Sequence, residues 1–259
     1  MSNNNAKIIS FVVRKGGSGK TTSALNVGFY LARMNKKVLL IDLDPQADLT
    51  GMCGLKSENL EQDNIFTCLK NKQLSYYKIN EYLSILPSYE DLDDAEQFFA
   101  SALARESLLK NLLKNIKQDF DYIIIDCPPS TGFLTRNALV TSDFVFIPVQ
   151  SQVLAYKGLV KVIAKVNDVR DALNHDLKIG GVFLTMLDKR DGINTQIKEL
   201  SEKTHPTLIM QTHIRKNVAL TELPLVSQDI YSYNPNSNGA EDYLNLTKEI
   251  IKRINNLNT

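Results

Sequence analysis

Apolar residues in this chain occur in short continuous runs separated by segments with helical spacing. The runs lie at 8–13, 38–44, 83–86, 120–129, 144–149 and 181–186, with a shorter one at 208–210. A continuous apolar run of this length predicts a strand buried on both faces, as in a parallel sheet. Strands that alternate with helices predict an α/β fold in which a doubly wound, mostly parallel sheet is flanked by helices. We expect one domain over residues 1–259, with residues 1–6 as a flexible lead-in.

Helical spacing is clearest in four segments. Leu25, Phe29 and Ala32 mark a helix after the first strand, and a short helix is predicted near 65–69. Residues 92–116 predict one long helix. Residues 239–255 predict a last helix with Tyr243, Leu246, Ile250 and Ile254 facing inward and with Lys248 and Lys252 on the opposite side.

A glycine-rich loop joins the first strand to the first helix. It consists of Lys15, Gly16, Gly17, Ser18, Gly19, Lys20, Thr21 and Thr22. Glycines let backbone N–H groups approach an anion closely, and the helix N-terminus adds unpaired N–H groups. Lys20 supplies a cation for terminal phosphates, and the Thr21 hydroxyl is placed to hold Mg²⁺. The loop predicts nucleotide binding, the alternative being a glycine-rich turn with two solvated lysines.

Three carboxylates follow predicted strands at the same edge of the sheet. Asp126 ends the run at 120–129, where it fits a Mg²⁺-holding role, or else caps the turn before Pro128. Asp42 and Asp44 end the second strand. One of these two can help to hydrate the metal while the other orients an attacking water, or both can be turn residues before Pro45.

Composition narrows the function classes. The 30 basic residues balance 29 acidic residues, so any contact with DNA must use a local patch. Cys53, Cys68 and Cys127 have no metal-binding spacing, which argues for a reducing, cytoplasmic location and against a zinc or iron–sulfur site. No apolar run is long enough to span a bilayer.

Several motifs occur in an order that resembles the ParA/Soj partition ATPases of the ParA/MinD superfamily. The loop resembles their deviant Walker A P-loop, in which a second lysine, here Lys15, stands at the start. The match continues through 41–46, 126–130, 147–150, 185–188, 215–218 and 239–241, and it covers roughly residues 7–253.

The resemblance implies a Mg²⁺-dependent ATPase that forms a nucleotide-sandwich homodimer with ATP. In that state it would bind DNA nonspecifically and be associated with the nucleoid, and a ParB-type protein would stimulate hydrolysis. By position, Lys15 would reach the partner subunit's phosphates, Lys20 and Thr21 would serve their own site, and Asp44 would align the water. Asp42 and Asp126 would support Mg²⁺, and Asn217 would lie near the base.

Two departures from the family pattern leave questions open. Arg215 stands where the family usually has proline, so the way in which adenine is held is undetermined. Ala219 stands where arginine is frequent, which leaves Lys189–Arg190, Arg215–Lys216 and the face of Lys248, Lys252 and Arg253 as candidate DNA contacts or as solvated surface.

Two other functions use the same switch. One is a ParA-like ATPase that positions a protein cargo. The other is a MinD-like ATPase that cycles on a membrane, for which the segment 250–259 offers Lys252, Arg253 and Leu257 among asparagines and no terminal aromatic anchor. We therefore expect no membrane partner.

Overall fold

A computed structural model describes residues 6–56, 60–150, 155–188 and 206–257, without the side chains of 155–157. The strands are β1 Lys7–Phe11, β2 Val38–Asp42, β3 Tyr77–Lys78, β4 Leu83–Leu86, β5 Tyr122–Asp126, β6 Phe144–Gln150 and β7 Lys178–Thr185. They form a sheet in the order β3-β4-β2-β5-β1-β6-β7. All neighbours are parallel except β3 and β4, so the predicted mostly parallel sheet is confirmed.

Helices cover both faces of the sheet. They are α1 Lys20–Arg33, α2 Asp48–Met52, α3 Ile65–Asn71, α4 Ala95–Phe98, α5 Leu108–Leu112, α6 Phe133–Thr141, α7 Ala155–Ala172, α8 Val218–Val226, α9 Ile230–Tyr233 and α10 Asn238–Leu257. Because both faces are covered, β2 and β5 are buried at every position. The fold is thus the predicted doubly wound α/β arrangement.

Two hydrophobic layers enclose the sheet. One contains α1 and α10, with Tyr243, Leu246, Ile250 and Ile254 buried as predicted. The other packs α3, α5, α6 and α7 against the opposite face. The layers hold β1, β2 and β5 side by side, so that their carboxyl ends meet at one edge.

The single long helix predicted over 92–116 is wrong. The segment contains short helical turns, among them α4 and α5, and Ala104 adopts a left-handed φ of 51°. The buried side chain of Asn137 accepts from the Leu109 N–H and donates to the Arg105 carbonyl. A side chain from α6 therefore satisfies backbone groups that a continuous helix would have paired internally.

Three smaller expectations also change. Residues 206–208 form a 3-10 turn, and only Ile209 makes an isolated bridge with Val182, so no strand forms at 208–210. The antiparallel β3 was not predicted. Ala6, expected in the flexible lead-in, is buried, and its N–H donates to the Lys117 carbonyl.

Candidate nucleotide-binding site

The glycine loop connects the end of β1 to the first residue of α1. Gly17 and Gly19 have φ values of 76° and 77°, a region that favours glycine. Gly19 is also the residue preceding α1, whose first N–H groups have no intrahelical partner. The loop is therefore shaped to receive an anion at the helix N-terminus.

Side chains on both sides hold this loop in place. The Ser18 hydroxyl donates to the Lys15 carbonyl at 2.9 Å, and the Thr185 hydroxyl at the end of β7 donates to the Ser18 carbonyl at 3.0 Å. The Thr22 carbonyl accepts from the Asn26 side chain at 2.7 Å. Gly16 is exposed, and a Cβ there would meet no atom within 4 Å. The loop is therefore open to solvent at Gly16.

The carboxylates lie where parallel pairing of the strands brings them together. Asp42 at the end of β2 is the direct partner of Asp126 at the end of β5, and Phe11 at the end of β1 is the partner of Asp126 on the other side. Asp44 follows β2 by two residues and is mostly buried. The three predicted carboxylates thus meet beside the loop.

Lys20 lies between these acidic side chains. Its Nζ is 2.8 Å from Asp126 Oδ1 and 3.4 Å from Asp44 Oδ2, and it also donates to Thr21 Oγ1 at 3.3 Å. Burial alone would lower the pKa of Lys20, but Asp126 and then Asp44 outweigh it and raise the pKa well above its usual value. Lys20 is therefore a fixed cation at this edge of the sheet.

Asp126 is fully buried and only partly paired. Burial raises its pKa, and Lys20 opposes that shift. Asp126 Oδ2 has no hydrogen-bond partner among the described residues. An unpaired buried carboxylate oxygen is costly unless it receives a ligand or a water.

Asp42 has different surroundings from Asp126. Its Oδ2 accepts from the Thr50 N–H at 2.9 Å and from the Thr50 hydroxyl at 2.7 Å, and its Oδ1 accepts from the Asp44 N–H at 3.1 Å. Burial and then the charge of Asp126 raise the pKa of Asp42 to about 7, although the bonds from Thr50 oppose the shift. Asp42 therefore stabilises the turn that contains Asp44.

The donor set beside the loop fits Mg²⁺. The unpaired oxygen of Asp126 and the half-buried hydroxyl of Thr21 are hard oxygen ligands. In the described part of the chain, no group of three His, Cys, Asp or Glu side chains forms a complete metal cage. Mg²⁺ commonly uses one or two carboxylates together with phosphates and waters, so the set suits a metal that arrives with a nucleotide.

A cleft of about 710 Å³ extends from the loop toward α8. Besides loop residues, its lining includes Met186, Lys216, Asn217, Leu220 and Pro224. Asn217, which is expected near the base, lines the cleft, and its Oδ1 accepts from the Ala219 N–H at 2.9 Å and caps α8. Its amide nitrogen remains the polar group that could meet a base.

Lys15 is exposed at the loop and contacts none of the carboxylates described above. It lies beside Val149 and Gly158, outside the nucleotide cleft. Of the predicted catalytic residues, the structure brings Lys20 and Asp44 together and leaves Lys15 on the surface.

The candidate DNA contacts divide into two groups. Lys248 and Lys252 are exposed on α10, whereas Lys189–Arg190 lie outside the described residues. Arg215 and Arg253 instead have partners within the protein. Arg215 is ion-paired with Asp242 and Glu241, and Arg253 donates to Glu249 and to three backbone carbonyls. Carboxylates and backbone carbonyls of the protein therefore hold both guanidinium groups.

Sequence reasoning missed the residues that hold the site. Thr50 accepts from the Ser88 N–H at 2.9 Å while donating to Asp42, which links α2, β2 and β4. The Tyr243 hydroxyl lies 3.2 Å from the Ser23 hydroxyl, which donates to the Gly19 carbonyl. A lone threonine or tyrosine carries no sequence signal for such a role, because the bonded partners are distant along the chain.

Comparison with known proteins agrees with this geometry. The model of a family described as "AAA domain" matches residues 6–179. The sporulation initiation inhibitor protein Soj of Bacillus subtilis is 42% identical over 94% of this chain and 98% of its own. The chromosome partitioning protein ParA of Myxococcus xanthus is 37% identical over 95% of this chain and 88% of its own.

A solved structure has the same fold. The cobyrinic acid a,c-diamide synthase of Mycobacterium smegmatis, with bound ATP analogue and magnesium, has a TM-score of 0.83 at 27% identity and covers 96% of each chain. None of the helices in the described ranges is long and apolar enough to cross a membrane. The loop, the adjacent carboxylates and the near full-length relatives lead to one conclusion: the chain belongs to the ParA/Soj family of partition ATPases.

Proposed function

We propose that this protein is a Mg²⁺-dependent ATPase that closes as a nucleotide-sandwich homodimer, binds DNA nonspecifically in that state and segregates plasmid or chromosomal DNA with a ParB-type partner. It would then associate with the nucleoid while ATP is bound. The observation that carries the proposal is the contact of Lys20 with Asp126 and Asp44 directly beside the phosphate loop. Family membership and the chromosome-partitioning relative support the DNA-segregation part.

In this proposal the ATP phosphates lie against the N–H groups of the loop and of α1. Lys20 exchanges its carboxylate partners for the terminal phosphates. Thr21 and Asp126, with Asp42 behind them, would hold Mg²⁺, which would supply neutralisation of the phosphate charge. Asp44 is then free of Lys20 and can accept a hydrogen bond from the attacking water. Phosphoryl transfer requires mainly positioning and charge neutralisation, which these groups provide.

Lys15 completes the site from the other subunit. Its exposure on the loop suits a side chain that enters a partner's pocket, because a lysine used within its own site would lie with Lys20. Two subunits facing each other across their loops would each contribute Lys15 to the opposite triphosphate. The dimer would therefore form with ATP and separate after hydrolysis.

The test combines particle size and ATPase rate, each measured with and without ATP and Mg²⁺. Wild type should be a monomer without nucleotide and a dimer with ATP. Asp44→Ala should remain a dimer and hydrolyse ATP at least about a hundredfold more slowly, because the water loses its acceptor. Lys15→Ala should bind ATP but dimerise weakly.

Lys36→Ala is the matched control for Lys15→Ala. It removes another exposed lysine, which follows α1 at the end of the sheet opposite the loop, and it should behave as wild type. Wild-type hydrolysis by Asp44→Ala would remove the water-positioning role. A monomeric wild type at saturating non-hydrolysable ATP would exclude the sandwich dimer.

A further inference from the structure

Arg215 and Asp242 form an ion pair that contains several hydrogen bonds. The Arg215 guanidinium donates from Nε to both oxygens of Asp242 at 3.0 Å and from Nη2 to Asp242 Oδ1 at 2.6 Å. The backbone N–H of Arg215 also donates to Asp242 Oδ2 at 2.9 Å. Asp242 therefore holds both the side chain and the main chain of Arg215.

This ion pair lies at the boundary of the nucleotide cleft. Arg215 lines the cleft on one side and a separate surface groove with Asp242 on the other. Asp242 lies in the first turns of α10, so the pair joins the wall of the cleft to the last helix.

The chain on either side of Arg215 extends the sheet past the end of β7. The Ile214 N–H donates to the Leu184 carbonyl, and the Lys216 N–H donates to the Leu187 carbonyl. Asn217 follows immediately and caps α8. We call residues 214–217 the base segment, because it carries Asn217, which lines the nucleotide cleft and is expected near the base.

The energetics of the pair favour a fixed position. Asp242 is 6% exposed, so its carboxylate depends on Arg215 for compensation. A guanidinium that donates to both carboxylate oxygens also fixes the relative orientation of the two groups, which a lysine ammonium does not. The hydrogen bonds that Arg215 donates to Asp242 raise the pKa of Arg215 more than burial lowers it, so its pKa is raised overall.

We propose that Arg215 and Asp242 are positioning residues for the purine base of ATP. By tying the base segment to α10 they set the distance between Asn217 and the phosphate loop, and hence which base fits the cleft. This inference rests on the proposed ATPase function. It assigns to Arg215 a part in nucleotide selection instead of DNA contact.

The test measures binding of ATP, ITP and inorganic tripolyphosphate by calorimetry, together with steady-state hydrolysis of ATP. Arg215→Ala and Asp242→Asn should each weaken ATP binding about tenfold and reduce the preference for ATP over ITP. Binding of tripolyphosphate should stay unchanged, because it needs only the phosphate loop. In hydrolysis, KM should rise with kcat nearly unchanged.

Glu241→Gln is the matched control. Glu241 also contacts Arg215 Nη2 at 2.6 Å, but its side chain is 64% exposed, so its loss should leave ATP binding as in wild type. Arg215→Lys keeps the charge without the two-pronged contact and should restore part of the affinity. Arg215→Lys also tests the proposal if Arg215→Ala does not fold.

The outcomes separate this inference from the proposed function. Unchanged ATP binding in Arg215→Ala, or an equal loss of ATP and tripolyphosphate binding, would overturn the positioning role. If wild type itself binds no ATP, the ATPase proposal fails, and the role of Arg215 fails with it.

Discussion

At the edge of the sheet beside the phosphate loop, a few side chains compensate or stabilise the buried carboxylates. Lys20 compensates Asp126 and Asp44. Asp42 has no cation in contact among the described residues and is stabilised by hydrogen bonds from Thr50 and the Asp44 N–H. Burial and the charge of Asp126 oppose ionisation of Asp42 more strongly than these hydrogen bonds favour it. The pKa of Asp42 therefore lies well above that of an aspartate in the unfolded chain. Folding therefore changes the protonation of Asp42, which makes stability depend on pH.

Stability without nucleotide should depend on pH through Asp42. Between about pH 4 and pH 7 the folded state holds a proton on Asp42 that the unfolded chain has released, so the free energy of unfolding falls as pH rises through this range. Above pH 7 the contribution levels off. Urea unfolding at a series of pH values should show this slope in wild type and a clearly smaller slope in Asp42→Asn.

The exposed Asp93 supplies the control for this series. Asp93→Asn should keep the wild-type slope, because solvent reaches that side chain in both the folded and the unfolded state. An Asp42→Asn slope equal to that of wild type would assign the pH dependence to other groups, Asp126 first among them.

Helices and strands position the site through close packing. Helix α1 carries the loop, and it approaches β2 so closely at Gly28 that a Cβ there would lie 2.6 Å from Leu40 Cδ2. Leu40 is completely buried, so it has little room to move away. The small residue at position 28 thus sets the distance between the loop helix and the strand that ends in Asp42.

Gly28→Ala should therefore destabilise the protein by about 1–3 kcal/mol despite the higher helix propensity of alanine. Gly158→Ala is the matched control, since Gly158 also lies inside a helix but a Cβ there would meet nothing within 4 Å. That change should be neutral or should stabilise by up to about 1 kcal/mol. Thermal unfolding of both variants measures the difference, and equal effects would contradict the packing argument.

The sequence predicted strands correctly where a segment is buried at every position. It failed where side chains distant along the chain determine the backbone conformation. The runs at 38–44 and 120–129 predict buried strands, and β2 and β5 lie within them. The segment 92–116 has helical spacing, yet Asn137 of α6 supplies hydrogen bonds that interrupt it. Helix propensity is a weak preference that such contacts override.

The whole molecule carries a formal net charge of only +1, so the proposed DNA binding would have to use a local surface, which the proposed dimer would present twice. The structure narrows this surface, because Arg215 and Arg253 are held by acidic or backbone partners while Lys248 and Lys252 are exposed on α10. Each lysine that neutralises a phosphate contributes to the salt dependence of binding.

ATP-dependent retention on nonspecific DNA should thus decrease steeply with salt. Replacing both lysines, Lys248→Ala with Lys252→Ala, should weaken binding and reduce the slope of log affinity against log salt by roughly one per lysine in each subunit. Lys110→Ala with Lys114→Ala removes two exposed lysines on and after α5, on the other face of the sheet, and should leave the slope unchanged. An unchanged slope in the α10 variant would place the DNA contacts elsewhere.

The amino-acid sequence by itself determined the strand–loop–helix unit at Lys15–Thr22, the carboxylates at the strand ends and the family. These features are local, because glycine spacing, apolar runs and the residue that ends a strand are read from neighbouring positions. Only the tertiary structure decided the partners: Lys20 with Asp126 and Asp44, Thr50 with Asp42, and Arg215 with Asp242. Each pair joins residues that are at least eight positions apart, and burial makes each contact obligatory, so packing of the whole chain selects them.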